Sequence, residues 1–94
     1  MTEETLLALF DCAASSGLIL DRIEPFLLEA DQEIPHAHLT LSPAEVHGDY
    51  SKLNWGERIT AVKSDMLNML EEAHRIGGIF RFNVGVSREE EWAP

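Results

Sequence analysis

The chain has 94 residues, 17 acidic and 7 basic side chains, a formal net charge of -10 and one cysteine. The length holds one domain, the 45% hydrophobic share is too high for a disordered acidic segment, and the negative charge opposes phosphate-backbone binding. No apolar run approaches the ~20 residues that cross a membrane, one cysteine cannot close an internal disulfide, and Met-Thr-Glu-Glu shows no secretory pattern, so a cytoplasmic protein is expected.

The first helix is predicted over residues 3–16. Thr2 suits the N-cap, Glu3 and Glu4 suit the positive end of the helix dipole, and Leu6, Leu9, Phe10 and Ala13 form one apolar stripe. Gly17 suits the left-handed position after a helix. Leu18 to Ile23 reads equally as a short strand, a buried turn or the start of a helix. Pro25, after Asp21 and Glu24, suits the first position of a helix running to Asp31, and Pro35 closes that segment.

His36 to Ser42 alternates, with Ala37, Leu39 and Leu41 on one side and His36, His38 and Thr40 on the other, the pattern of a half-buried strand. Ser42-Pro43-Ala44-Glu45 reads as a capping box opening about one helical turn before Gly48, followed by a polar loop from Asp49 to Leu53. The strongest helix runs from Trp55 to Ile76, capped by Asn54 with Glu57 at the third position. Its stripe is Ile59, Val62, Met66, Met69, Ala73 and Ile76, and Gly77-Gly78 stops it. Ile79 to Ser87 alternates as the best strand, with Phe80, Phe82, Val84 and Val86 on one face.

These elements predict an α+β fold: a small single-layer sheet of two or three strands, packed by the long helix of the C-terminal half and by the N-terminal helix. Residues 1–87 form the domain, and 88–94 a flexible acidic tail. Two strands make a marginal sheet, so Leu18 to Ile23 is needed as a third; otherwise open edges invite a homodimer or strand addition.

Each chemistry-bearing feature has a plain structural alternative. His36 and His38 on one strand face, joined by His47, Asp49 or Cys12, would suit a metal ion, but no Cys-x-x-Cys or His-Glu-x-x-His spacing supports one. Cys12 has Asp11 and alanines beside it and no base, so it reads as a partly buried helix residue. Gly77-Gly78 follows a helix instead of opening one, unlike a phosphate loop. Met66 and Met69 belong to the core stripe.

The acids are uneven. Residues 1–33 carry eight acidic side chains and one basic, Arg22, whereas residues 49–88 carry five and six. The candidate partner-binding residues are therefore Glu24, Glu29, Asp31 and Glu33, with Glu29 and Glu33 four apart on one helical face, together with Tyr50 and Trp55 flanking the polar loop. No catalytic residue, metal ligand or cofactor is assigned. The expected function is a small acidic non-catalytic interaction domain, an inhibitor or antagonist of the immunity or anti-defence type, that binds a basic surface of a partner protein, such as a nucleic-acid-binding protein, without touching nucleic acid or membrane. The alternatives are a nucleic-acid mimic occupying a basic groove and a metal-binding or small enzymatic domain using His36 and His38.

Overall fold

The computed structural model describes residues 1–92, in the order α1 (Glu3–Ser15), β1 (Leu18–Glu29), β2 (Gln32–Pro35), a 3-10 turn at Ala37–Leu39, α2 (Pro43–Asp49), α3 (Trp55–Ile76), β3 (Ile79–Arg88) and α4 (Glu89–Trp92). The three strands form one antiparallel sheet in the order β2-β1-β3, on which α1 and α3 pack, so the fold is α+β. No helix among the described residues is long and apolar enough to cross a membrane.

The helices follow their local signals. The Thr2 side chain accepts from Thr5 N–H at the start of α1. Both capping-box bonds are present at α3, with Glu57 N–H donating to Asn54 Oδ1 at 2.9 Å and Asn54 N–H to Glu57 Oε1 at 3.2 Å. These bonds satisfy backbone donors that the first turn leaves without partners. Gly77 and Gly78 have φ of 82° and 87°, a region that favours glycine, and they reverse the chain into β3. At Gly78 a Cβ would stand 2.7 Å from Leu27 Cδ1, so a side chain there would require the Leu27 side chain to move.

The expected helix from Pro25 to Asp31 is instead the second half of β1. Leu18 to Ile23, read ambiguously, is its first half, and the twelve-residue strand occupies the centre of the sheet. Its pattern was obscured by a β-bulge: Leu20 pairs with Val86 and Arg22 with Gly85, leaving Asp21 as the extra residue. An extra residue reverses the two-residue alternation. Leu20 and Ile23, three apart, therefore share the face of their partners Val86 and Val84. Pro25 does not start a helix. It marks the place where the β1–β2 ladder ends, because it offers a carbonyl, which accepts from His36 N–H at 3.1 Å, but no N–H in return.

That missing donor also bears on the segment expected as a strand from His36 to Ser42, which forms no strand of the sheet. His36 to Ser42 alternates, yet it has no ladder to join beyond His36. It closes i→i+3 bonds of its own, from Leu39 N–H to His36 and from Thr40 N–H to Ala37, before Leu41 rejoins β1 beside Ile23. α2 runs for seven residues through Gly48, longer than the single turn expected, and Ser42 makes no side-chain cap bond. In the expected tail, Arg88 completes β3 and Glu89–Trp92 form a helical turn; residues 93–94 lie outside the described residues. Cys12 is exposed, not partly buried, because it lies off the α1 stripe of Leu6, Phe10 and Ala13. Leu18 to Ile23 supplies the third strand, so the condition under which open edges invite a homodimer is not met there; β2 and β3 are the sheet's edges, and on β3 Phe82 N–H donates to the Met1 carbonyl at 2.9 Å.

The core joins Leu6 and Phe10 of α1, Ile19, Leu20 and Ile23 of β1, Val62, Met66, Met69, Leu70 and Ala73 of α3, and Phe82 of β3. Met69 is 5% and Phe82 1% exposed. Replacing Met69 by Ala removes buried methylenes and leaves a void, so it should lower unfolding free energy in urea by about 2–5 kcal/mol; a loss under about half a kcal/mol would remove Met69 from the core.

Candidate functional site

The hairpin β1–β2 carries the four acidic candidates, all exposed: Glu24 and Glu29 on β1, Asp31 in the two-residue turn, and Glu33 on β2. Ala30, also in the turn, has a φ of 53°. Because these residues lie on strands, faces follow a period of two and not of four. Leu28 pairs with Glu33 and Glu29 with Gln32, which puts Glu29 and Glu33 on opposite faces of the sheet. The helical face expected for that pair does not exist.

A different pairing takes its place. Glu24, Phe26 and Leu28 alternate along one face of β1, and their partners Glu33 and Pro35 on β2 and Ile79, Arg81 and Asn83 on β3 share it. Between His36 and Leu41 the chain leaves the edge of β1 and returns. There a cavity of about 260 Å³ is lined by Glu24, Phe26, Glu33, Pro35, Thr40 and Asn83 among others. The structure thus brings two of the acidic candidates, nine positions apart in sequence, to one apolar-floored hollow.

Tyr50 and Trp55 do not join them; neither lines this cavity, and both are half-buried and engaged within the molecule. The Trp55 indole N–H donates to the Gly17 carbonyl at 2.7 Å. Tyr50 donates its hydroxyl proton to Asp65 Oδ2 at 2.6 Å. That bond, with burial and the charges of Asp65 and Asp49, pushes the phenol up from 10.0 to about 12.

The most developed polar arrangement escaped the sequence reading. Asp21, His47 and Arg58 are 1%, 4% and 8% exposed. His47 Nε2 lies 2.6 Å from Asp21 Oδ2, and His47 Nδ1 lies 3.1 Å from Arg58 Nη1. A guanidinium only donates, so Nδ1 accepts and the ring proton on Nε2 is given to Asp21. Arg58 Nη2 reaches the Ser51 and Leu53 carbonyls at 3.4 and 3.3 Å. The imidazole stacks with Trp92 at 4.2 Å and with Trp55 at 5.6 Å between centroids, and the Arg58 guanidinium carbon is 5.6 Å from the Trp55 ring centre. With both ring nitrogens engaged, His47 has no lone pair free to take a proton from a nucleophile. The chain ties β1, α2 and α3 together.

Two signals in the sequence pointed here. Asp21 is a lone acid inside the apolar run from Leu18 to Ile23, and Arg58 stands four residues before Val62 and eight before Met66, in phase with the buried stripe. His36 and His38 have ring centroids 5.4 Å apart around the 3-10 turn, and among the described residues no three His, Cys, Asp or Glu side chains are grouped to hold a metal ion. Comparisons with family models, curated proteins and solved structures return no match, so the reading of these sites rests on their own geometry.

Replacing His47 by Ala leaves a buried carboxylate and a buried guanidinium without their shared partner. The expected loss is about 3–5 kcal/mol of unfolding free energy, measured in urea; a loss below about 1 kcal/mol would mean that the two charges reach other partners. Tyr50 gives a pH prediction. Its proton is held more tightly in the folded state, so its contribution is complete below pH 10 and is lost as pH rises from 10 through about 12. As the chain has one tyrosine, tyrosinate absorbance should appear at higher pH in the folded than in the urea-unfolded protein, and Asp65→Asn should narrow that gap, leaving the part due to burial and Asp49; coincident curves for the folded and unfolded wild type would show that the bond to Asp65 does not persist in solution.

Proposed function

We propose that the chain is a small acidic non-catalytic interaction domain, an inhibitor or antagonist of the immunity or anti-defence type, that grips a basic surface of a partner protein with the end of its β1–β2 hairpin. The observation that carries this reading is the convergence of Glu24 and Glu33 on one hollow floored by Phe26 and Pro35. Carboxylates at the rim of an apolar pocket suit a lysine or arginine whose alkyl stem covers the floor while its charge stays at the rim. Burial falls off toward this end: Ile19, Leu20 and Ile23 are fully buried, whereas Phe26, Leu27, Leu28 and Ile34 are half-buried, leaving apolar surface for a partner to cover. Glu29 and Asp31 add negative charge at the tip.

The register favours a protein surface over the row of phosphates that a nucleic-acid mimic imitates. Glu29 and Glu33 face opposite ways, so the acids do not run as a single stripe along the hairpin.

The test is a pull-down from lysate of the source cells at low and high salt, with mass-spectrometric identification, using wild type and the Glu24→Lys/Glu33→Lys double variant. Exposed charge changes usually alter stability within about half a kcal/mol, so the variant should fold. The expected result is a partner retained at low salt, weakened at high salt and lost with the double reversal; retention by the reversed protein would remove the hairpin hollow from the interface.

A further inference from the structure

Asp21 gives one carboxylate oxygen, Oδ2, to His47, and its other oxygen, Oδ1, is buried with no hydrogen-bond partner among the described residues. An ionisable oxygen held out of water without a donor is costly, and most such atoms in folded proteins have a partner. Asp21 also lines a cavity of about 330 Å³ on the side of the molecule where β3 runs into α4. Glu91, Trp92, Ser87 and Arg22 line it too, and none of these residues lines the hairpin hollow.

We propose that this cavity is a binding site for a guanidinium group. Of the residues that line it, Asp21 and Glu91 are acidic and Arg22 is basic, so the lining carries a formal net -1 and suits a monocation; Glu91 Oε1 accepts from Arg88 N–H at 3.3 Å, and an anionic ligand would meet both carboxylates. Trp92 lines the cavity and is 37% exposed while stacked with His47, which brings an aromatic side chain to the site. A planar guanidinium stacks on an aromatic ring while its N–H fork donates to carboxylates in its own plane, which a compact ammonium cannot do. The Ser87 hydroxyl supplies a further acceptor. Among the described residues Arg22 forms no ion pair with Asp21 or Glu91, and its side chain lies along Gly85, with Cβ and Cδ near that glycine. The guanidinium belongs either to a small free molecule or to an arginine side chain of a protein, and the chemistry of recognition is the same. The site stands on Asp21 and α4 and is independent of the function proposed for the hairpin.

The experiment titrates the full chain with ethylguanidinium, with a terminally blocked Gly-Arg-Gly peptide and with blocked Gly-Lys-Gly. Binding is followed by calorimetry and by NMR of the Trp92 indole N–H and the His47 ring. The expected result is saturable shifts of both groups at millimolar probe, with the arginine peptide bound about tenfold more tightly than the lysine peptide. Glu91→Gln should weaken binding about tenfold by removing one charge-assisted bond, and Arg22→Gln should strengthen it by removing the competing cation. Asp21→Asn also disturbs the bond to His47 and so the fold, which makes Glu91→Gln, on an exposed residue, the deciding variant. Ethylguanidinium binding as tightly as the arginine peptide supports a free guanidine as the ligand, and preference for the peptide supports an arginine side chain. Absence of saturable shifts, equal affinity for the lysine and arginine peptides, or unchanged affinity in Glu91→Gln would each overturn the proposal.

Discussion

The bulge at Asp21 sets the terms for the rest of the molecule. An uninterrupted β1 would send Leu20 and Ile23 to opposite faces of the sheet. The inserted residue lets both enter the core and puts Pro25 opposite Phe82 and Leu27 opposite Phe80 in the same phase. The same insertion turns a carboxylate inward, where His47 and Arg58 meet it. A buried charge without partners would be strongly unfavourable. The chain from carboxylate through imidazole to guanidinium supplies a partner for Oδ2, one of the two Asp21 oxygens, and it fixes α2 and the first turns of α3 against the central strand. Packing phase and polar connectivity therefore depend on one backbone irregularity.

α1, α3 and β3 were legible because their information is local. Thr2 and Asn54 cap, the apolar stripes repeat with helical period, Gly17 and Gly77 stop, and Phe80, Phe82, Val84 and Val86 alternate. The segments that were not legible take their form from neighbours distant in sequence. Pro25 carries the same local signal at a helix start and at the end of a ladder, and only the position of β2 decides between them. His36 to Ser42 has the periodicity of a strand, but a strand also needs an edge with free donors and acceptors, which Pro25 does not provide. Met66 and Met69 are buried in the core, as their place on the stripe implied.

The candidate sites divide in the same way. Composition located the acid in the first third of the chain, and register then sorted it. Glu24 and Glu33 converge, Glu29 turns to the other face, and Asp21 leaves the surface altogether. The contact of Asp21 with His47 spans 26 positions and that of His47 with Arg58 spans 11, so local pattern marks Asp21 and Arg58 as inward-facing but does not pair them with His47. Trp92 lies in a stretch that composition reads as a polar tail, and its stacking on His47 becomes visible only once β3 has delivered it there. The acidic residues of the first third are therefore divided between an exposed hollow at the hairpin end and a buried polar tie of β1 to α2 and α3.

The order of strands bears on how the chain is made. β1 and β2 are joined by two residues and can meet as soon as both exist. The partner on the other side of β1 is separated from it by 51 positions at one end of the ladder, Leu28 to Ile79, and by 70 at the other, Leu18 to Arg88. Closing loops of that size makes pairing slow relative to helix formation. During synthesis the most apolar strand of the protein emerges early and waits, with one edge open, until β3 has left the ribosome. The nascent chain is then a short hairpin trailing a growing α3, and the acidic residues along β1 and β2, with Arg22, the two prolines and the bulge, oppose premature pairing with another copy. The charge proposed for partner recognition in the finished protein thus also serves as a guard against aggregation before the fold is complete.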